Sequence, residues 1–83
     1  MKVTVEISLY PLDKNYSPII RTFIDRLQIY DSIGLKVQPA STLITGNLEE
    51  IMNILNIELR KVFDLGITVN AQIKIINLDL IEQ

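Results

Sequence analysis

Cysteine, histidine and tryptophan are all missing from this chain. Without cysteine, neither a disulfide nor a thiolate metal site can reinforce the fold. Without histidine there is no Ser-His-Asp or Cys-His nucleophile, no imidazole-ligated zinc and no ordinary general base near neutral pH. Chemistry would have to rest on carboxylates, lysine, tyrosine or a bound group, so a non-catalytic protein without a cofactor is the expectation. The eight Lys and Arg residues are scattered, and no basic block marks a phosphate-backbone binder. No apolar run approaches the ~20 residues that span a bilayer. The opening "MKVTVEISLY" alternates where a secretory signal would be continuously apolar. The expected protein is soluble and cytoplasmic, with no nucleic-acid or membrane partner.

What is present is a short, apolar-rich chain: 83 residues, 48% hydrophobic, net charge −2. One domain over residues 1–83 is all this length permits. A domain this small buries only about 60–65% of the surface its unfolded chain exposes. So high an apolar content over so thin a core suggests self-association.

From Lys2 to Tyr10, Val3, Val5, Ile7 and Leu9 share one face and Thr4, Glu6, Ser8 and Tyr10 the other. That period of two predicts a half-buried strand, ended by Pro11. Ser17-Pro18 reads as a helix start, and Ile20, Phe23, Ile24 and Leu27 follow at helical spacing. The predicted helix runs to about Asp31 and stops before Gly34, where glycine would allow a left-handed turn. "GLKVQPASTLITG" predicts two short strands around a proline turn. Asn47 with Glu50 forms a capping-box pattern, opening a helix with Ile51, Leu55, Leu59 and Val62 on its apolar stripe and Gly66 past its end. In the last strand Val69, Ala71, Ile73 and Ile75 share a face. The order β-α-β-β-α-β predicts an α+β, ferredoxin-like sandwich: a four-stranded antiparallel sheet with two helices on one face.

Two helices leave the other sheet face open. It should display Thr4, Glu6, Ser8, Thr68, Asn70, Gln72 and Lys74, with Lys36 and Gln38 from the hairpin. These are mostly short neutral hydrogen-bonders, which suit a second subunit or a small polar ligand better than bulk water. The first and last strands are neighbours in this fold, so Glu6 and Lys74 or Gln72 could pair across them. After Ile75 the alternation slips, placing Ile76, Leu78 and Leu80 opposite Ile73 and Ile75. A partner chain over that end of the sheet would account for the slip, although a bulge could correct the phase.

"EISLYPL", "GLKVQPASTLITGN" and "IKIINLDL", in that order and spacing, resemble the small thiamine-binding, YkoF-like family. The likeness covers nearly the whole chain, and its more specific parts are E-I-S-x-Y-P-L and S-T-x-I-x-G together. The resemblance implies ferredoxin-like domains that assemble as homodimers or homotetramers through their sheets. It implies binding of thiamine or its hydroxymethylpyrimidine moiety for salvage, transport or buffering, without catalysis. By motif, the matching positions are Glu6, Ser8, Ser41 and Thr42. Many relatives carry arginine soon after the glycine matching Gly66 and again after the final strand; here those regions read "GITVNAQ" and "INLDLIEQ", with none.

The chemistry of such a ligand suits these residue types. A carboxylate accepts from an exocyclic amine or balances a thiazolium, hydroxyls donate to ring nitrogens, and aromatic faces stack or meet the cation. The candidate ligand-binding set is therefore Glu6, Ser8, Tyr10, Phe23, Gln38, Ser41 and Thr42. Each has a structural alternative: Phe23 also lies on a core stripe, Ser41 and Thr42 could bond their own hairpin, and Glu6 could simply pair with Lys74. A regulatory or assembly module sensing another small metabolite at a subunit interface is the competing function. An RNA-binding domain of this topology would need exposed strand aromatics and a basic surface, and both are lacking.

Overall fold

The alternating segment becomes the central strand of a four-stranded antiparallel sheet. In the computed structural model, which describes residues 1–81, the elements are β1 (Lys2–Pro11), α1 (Tyr16–Leu27), β2 (Gly34–Val37), β3 (Thr42–Asn47), α2 (Leu48–Phe63) and β4 (Val69–Ile76). Residues 82 and 83 of the expected 1–83 domain lie outside the described residues. The strand order is β2-β3-β1-β4, the ferredoxin-like arrangement, with both helices on one face. Among the described residues, no helix is long and apolar enough to cross a membrane.

β1 is bonded on both sides, Ile7 opposite Thr42 of β3 and Ile73 of β4. Its odd-numbered residues Val3, Val5, Ile7 and Leu9 are buried beneath the helices, joined by Phe23 and Leu27 of α1, Ile44 of β3, and Ile51, Ile54, Leu55 and Val62 of α2. β3 follows the same alternation: Ile44 and Thr42 turn toward the helices, Leu43 and Thr45 toward the open face. Not all of the expected core set is covered. Val69 and Ala71 pack against the core, but Ile73 and Ile75 are 39% and 48% exposed. β4 is the sheet's edge, and α2 lies over β3 rather than over it.

Local signals were right in kind and displaced in place. Helix α1 begins at Tyr16, one residue before Ser17-Pro18, with Asn15 at the cap position and no side-chain cap bond. Pro18 thus falls at the third helical position, still within the turn that needs no N–H. The helix ends at Leu27, not Asp31, closed by turn bonds from Ile29 N–H to Arg26 O and from Tyr30 N–H to Leu27 O. Gly34 does not take up the left-handed conformation. Its role is spatial: a Cβ there would lie 2.5 Å from Thr45 Oγ1 on the neighbouring strand. Gly66 does have positive φ (83°), two residues beyond the Asp64 cap, as expected after a helix. Asn47 caps α2, its side chain accepting from Glu49 N–H at 2.9 Å.

The segment after Ile75, where the alternation slips, makes contacts within the chain. Beyond β4 the chain turns back over the open face. Thr4 Oγ1 donates to Leu78 O at 2.6 Å and accepts from Leu80 N–H at 3.0 Å, while Lys2 Nζ meets Asp79 Oδ2 at 2.9 Å. Thr4, expected on display, is therefore fully buried, and Thr45 beside it nearly so. Ile76, Leu78 and Leu80 remain 39–56% exposed.

One charged residue stands on the apolar face of α2. Glu58 falls in register with Ile51, Ile54, Leu55 and Val62 and is 1% exposed. It is satisfied across the helix seam: Arg26 Nε donates to Oε1 at 2.7 Å, the Tyr30 hydroxyl to Oε2 at 2.6 Å, and Lys61 Nζ lies 3.5 Å away. Burial alone would raise its pKa, but the bonds from Tyr30 and Arg26, with the Arg26 and Lys61 charges, carry it below the usual carboxylate value. These contacts tie the end of α1 and the turn after it to the middle of α2.

Two outcomes follow. Glu58→Gln should cost about 1–3 kcal/mol near neutral pH, the range for hydrogen bonds to a buried charged group. Since the folded pKa is depressed, this contribution is present above the ordinary value of 4.5 and is lost as pH falls through the folded value. Urea unfolding should therefore show wild type and variant converging in acid; a gap independent of pH would mean the charge contributes nothing. For the tail, Thr4→Val keeps the side chain's shape but removes its hydroxyl. Hydrogen exchange of the Leu80 amide should then quicken by about tenfold, the worth of one such bond, and unchanged protection would show that something else holds the segment down.

Candidate functional site

Past Ile7, β1 outruns β3, and the turn from Gln38 to Ser41 occupies the space alongside it. Gln38 N–H bonds Ser41 O at 2.9 Å, closing that turn. Proline at position 39 suits such a tight reversal because its φ is already set. The turn is fastened to β1 by Ser8, whose hydroxyl donates to Ala40 O at 3.0 Å. It is also fastened through Ser41, whose Oγ lies 2.9 Å from Glu6 Oε2 and 3.0 Å from Gln38 Oε1. One hydroxyl proton cannot serve both acceptors. The carboxylate is the stronger and takes it, so the Gln38 amide gains by rotating its NH2 toward Ser41.

Two concavities flank this turn. On the open face, Glu6, Ser8, Tyr10, Ala40 and Ser41 with Gln72 and Lys74 of β4 line a shallow depression of about 230 Å³. On the helix side, a narrower slot of about 80 Å³ lies between β1, the turn, and Ile20, Phe23 and Ile24 of α1. Ser8, Ala40 and Ser41 border both.

The structure thus brings together Glu6, Ser8, Tyr10 and Ser41 and divides the rest of the expected set. Gln38 reaches the depression's rim through Ser41 while lining the slot. Thr42 is 4% exposed and turns toward the helices, as its place two residues before Ile44 requires. Phe23 is 3% exposed and belongs to the core. Neither touches the open-face depression; both border the slot. The Glu6–Lys74 pairing expected across the first and last strands is present, with the two residues directly opposite and Nζ–Oε1 at 3.7 Å. That is a loose contact to a lysine whose side chain is 78% exposed, a geometry worth well under 1 kcal/mol. Glu6 is one-third exposed: one oxygen is committed to Ser41, the other only weakly engaged.

Sequence reasoning did not anticipate that the Ala40 carbonyl would anchor the turn, or that Leu43 would share the open face. Both depend on where the hairpin turns, and Pro39-Ala40 showed only that it does. Glu58 was also missed, although its i+3 and i+4 spacing from Leu55 and Ile54 was a visible signal.

No family model matches this chain, and no curated protein matches it. The likenesses are to solved structures. A Thermotoga maritima protein provisionally assigned to thiamine biosynthesis or salvage superposes with a TM-score of 0.86 at 22% identity, covering 96% of this chain and 91% of that one. A Streptococcus pneumoniae protein gives 0.85 at 25% identity, with 99% and 92% covered. A domain of unknown function from Bacillus cereus gives 0.76 at 21% identity, with 96% and 84% covered. At these identities the likenesses establish the fold. Nearly end-to-end coverage in both directions shows that the same βαββαβ unit makes up most of each of these chains.

Proposed function

We propose that this protein binds thiamine or its hydroxymethylpyrimidine moiety at the Glu6 depression, as a homo-oligomer and without catalysis. The observation that carries this reading is the Glu6 carboxylate. It stands in mid-strand on the open face, oriented by Ser41 and with one oxygen only loosely held by Lys74. An exocyclic amine donates to such an oxygen, and a thiazolium cation displaces the Lys74 ammonium at little cost because that side chain is already solvated. Tyr10, half exposed at the edge of the depression, offers a face for a ring or a cation. The thiamine-related assignment of the Thermotoga neighbour and the resemblance of the sequence motifs support the same ligand class.

Self-association is supported by what the helices leave uncovered. The β4 edge carries the half-exposed Ile73 and Ile75, and beside it Met52, Leu59 and Phe63 of α2 form an apolar groove with Ile73. An unpaired strand edge beside exposed apolar side chains is what a second sheet covers. A depression open on the sheet face would in the same way gain a roof from a second subunit.

Calorimetry with thiamine and with hydroxymethylpyrimidine tests the reading. Glu6→Ala should weaken binding by about tenfold or more, the worth of one charge-assisted contact, with little change in the thermal midpoint. No heat and no thermal shift at millimolar ligand would overturn it. Light scattering should show a dimer or larger, and a monomer at every concentration would remove the oligomeric part.

A further inference from the structure

The chain carries an unpaired peptide edge beside this site. Just beyond the two ends of β1, Leu12 N–H donates to Thr68 O on the β4 side at 2.9 Å, and Met1 O accepts from Leu48 N–H on the β3 side at 2.9 Å. Backbone groups alternate sides in an antiparallel ladder. Even-numbered residues of β1 therefore bond β4, and Val3, Val5 and Ile7 bond β3. Leu9 is next in the odd series. Continued past Ile7–Thr42, the register would set Ala40 opposite it, but Ala40 lies in the turn and its carbonyl accepts from Ser8 instead. The N–H and C=O of Leu9 have no partner among the described residues, and the residue is 8% exposed. Leu9 lines the slot under the turn.

Buried backbone groups are nearly always paired, with protein, water or a ligand. We propose that the Leu9 peptide edge is the recognition element for a planar ligand carrying a hydrogen-bond acceptor and donor side by side, as an aminopyrimidine does. This rests on the ligand class proposed above and deepens it. In an extended residue the N–H and C=O point the same way, so a ring nitrogen accepts from the one while the adjacent amine donates to the other. The slot's shape agrees. Its walls on the helix side are Ile20, Phe23 and Ile24, apolar and suited to a ring face. At about 80 Å³ it is smaller than the ~150 Å³ cavity that takes benzene, so a ring enters by one edge. The remainder of the ligand emerges past Ser41 toward Glu6, since the slot and the depression share that border. The pyrimidine is read by backbone and the cationic part is left to the carboxylate.

Nuclear magnetic resonance on the full chain separates this from the broader reading, using 4-amino-2-methylpyrimidine and 2-methylpyrimidine as probes. The amino compound should move the Leu9 amide proton downfield and slow its exchange. The analogue without the amine should bind about tenfold more weakly, the worth of one hydrogen bond in a buried slot. If the amino compound binds in a Glu6-dependent way while the Leu9 amide stays unmoved, or the two probes bind equally, the Leu9 assignment falls and the ligand class survives. A Leu9 amide that keeps its contact with bound water throughout the titration overturns the assignment as well. If neither probe nor thiamine binds, both fall.

Discussion

Everything in this molecule is arranged around one strand bonded on both sides. β1 pairs with β3 through Ile7 and with β4 through Pro11, so its period of two becomes a division of the molecule into two halves. Odd residues build the core with both helices. Even residues stand in a row on the face the helices do not reach, and each meets a different fate. Thr4 is sealed under the returning tail, Glu6 bonds Ser41 and approaches Lys74, Ser8 anchors the turn, and Tyr10 projects half exposed. A shift of one residue in that strand would exchange the two sets and leave neither a core nor a site.

Most of this plan was legible because it rests on local, periodic signals. The alternation of "VTVEISLY", the Asn47 cap and the glycine after α2 each depend on a few adjacent residues and on backbone geometry. Elements that were misplaced depend on contacts made at a distance. The end of α1 is set by Arg26 and Tyr30 turning toward Glu58, thirty-two and twenty-eight residues away, and nothing within the helix's own sequence shows that. Gly34 was assigned a backbone reason when its reason is Thr45 across the hairpin. The tail is the clearest case. Its out-of-phase apolar residues marked it as unusual, but did not show that the chain's own end would turn back and seal Thr4. The bond that shows it spans seventy-four residues.

The candidate site shows the same split. Glu6, Ser8 and Tyr10 fall together because a strand presents alternate residues to one face. Ser41 joins them because the hairpin turn lies against β1. Thr42 does not, since a residue next to Ser41 in sequence points the other way in a strand. Motif adjacency and spatial adjacency therefore part company at the first residue of β3. The separation has chemical content: the Glu6 carboxylate gathers with the Ser8 and Ser41 hydroxyls and Tyr10 on the open side, and the apolar side chains of Ile20, Phe23 and Ile24 line the helix side.

Why the concavities sit at this end of the sheet follows from strand lengths. β1 has ten residues and β3 six, so the two can be paired along only part of β1. At the start of β1 the remaining open surface is filled by the tail, which Thr4 and Lys2 hold in place. At the other end β3 has not yet begun, and a tight turn takes its place, spanning the gap without continuing the ladder. A turn satisfies its own backbone through Gln38 and Ser41 and so leaves the neighbouring strand's groups unanswered. The mismatch that makes this end of the sheet poorer in backbone bonds also makes it the place with polar groups to spare. The core loses little by this, because Leu9 still packs inward on its other side. A longer β3 would give a more complete sheet, and it would also close the slot.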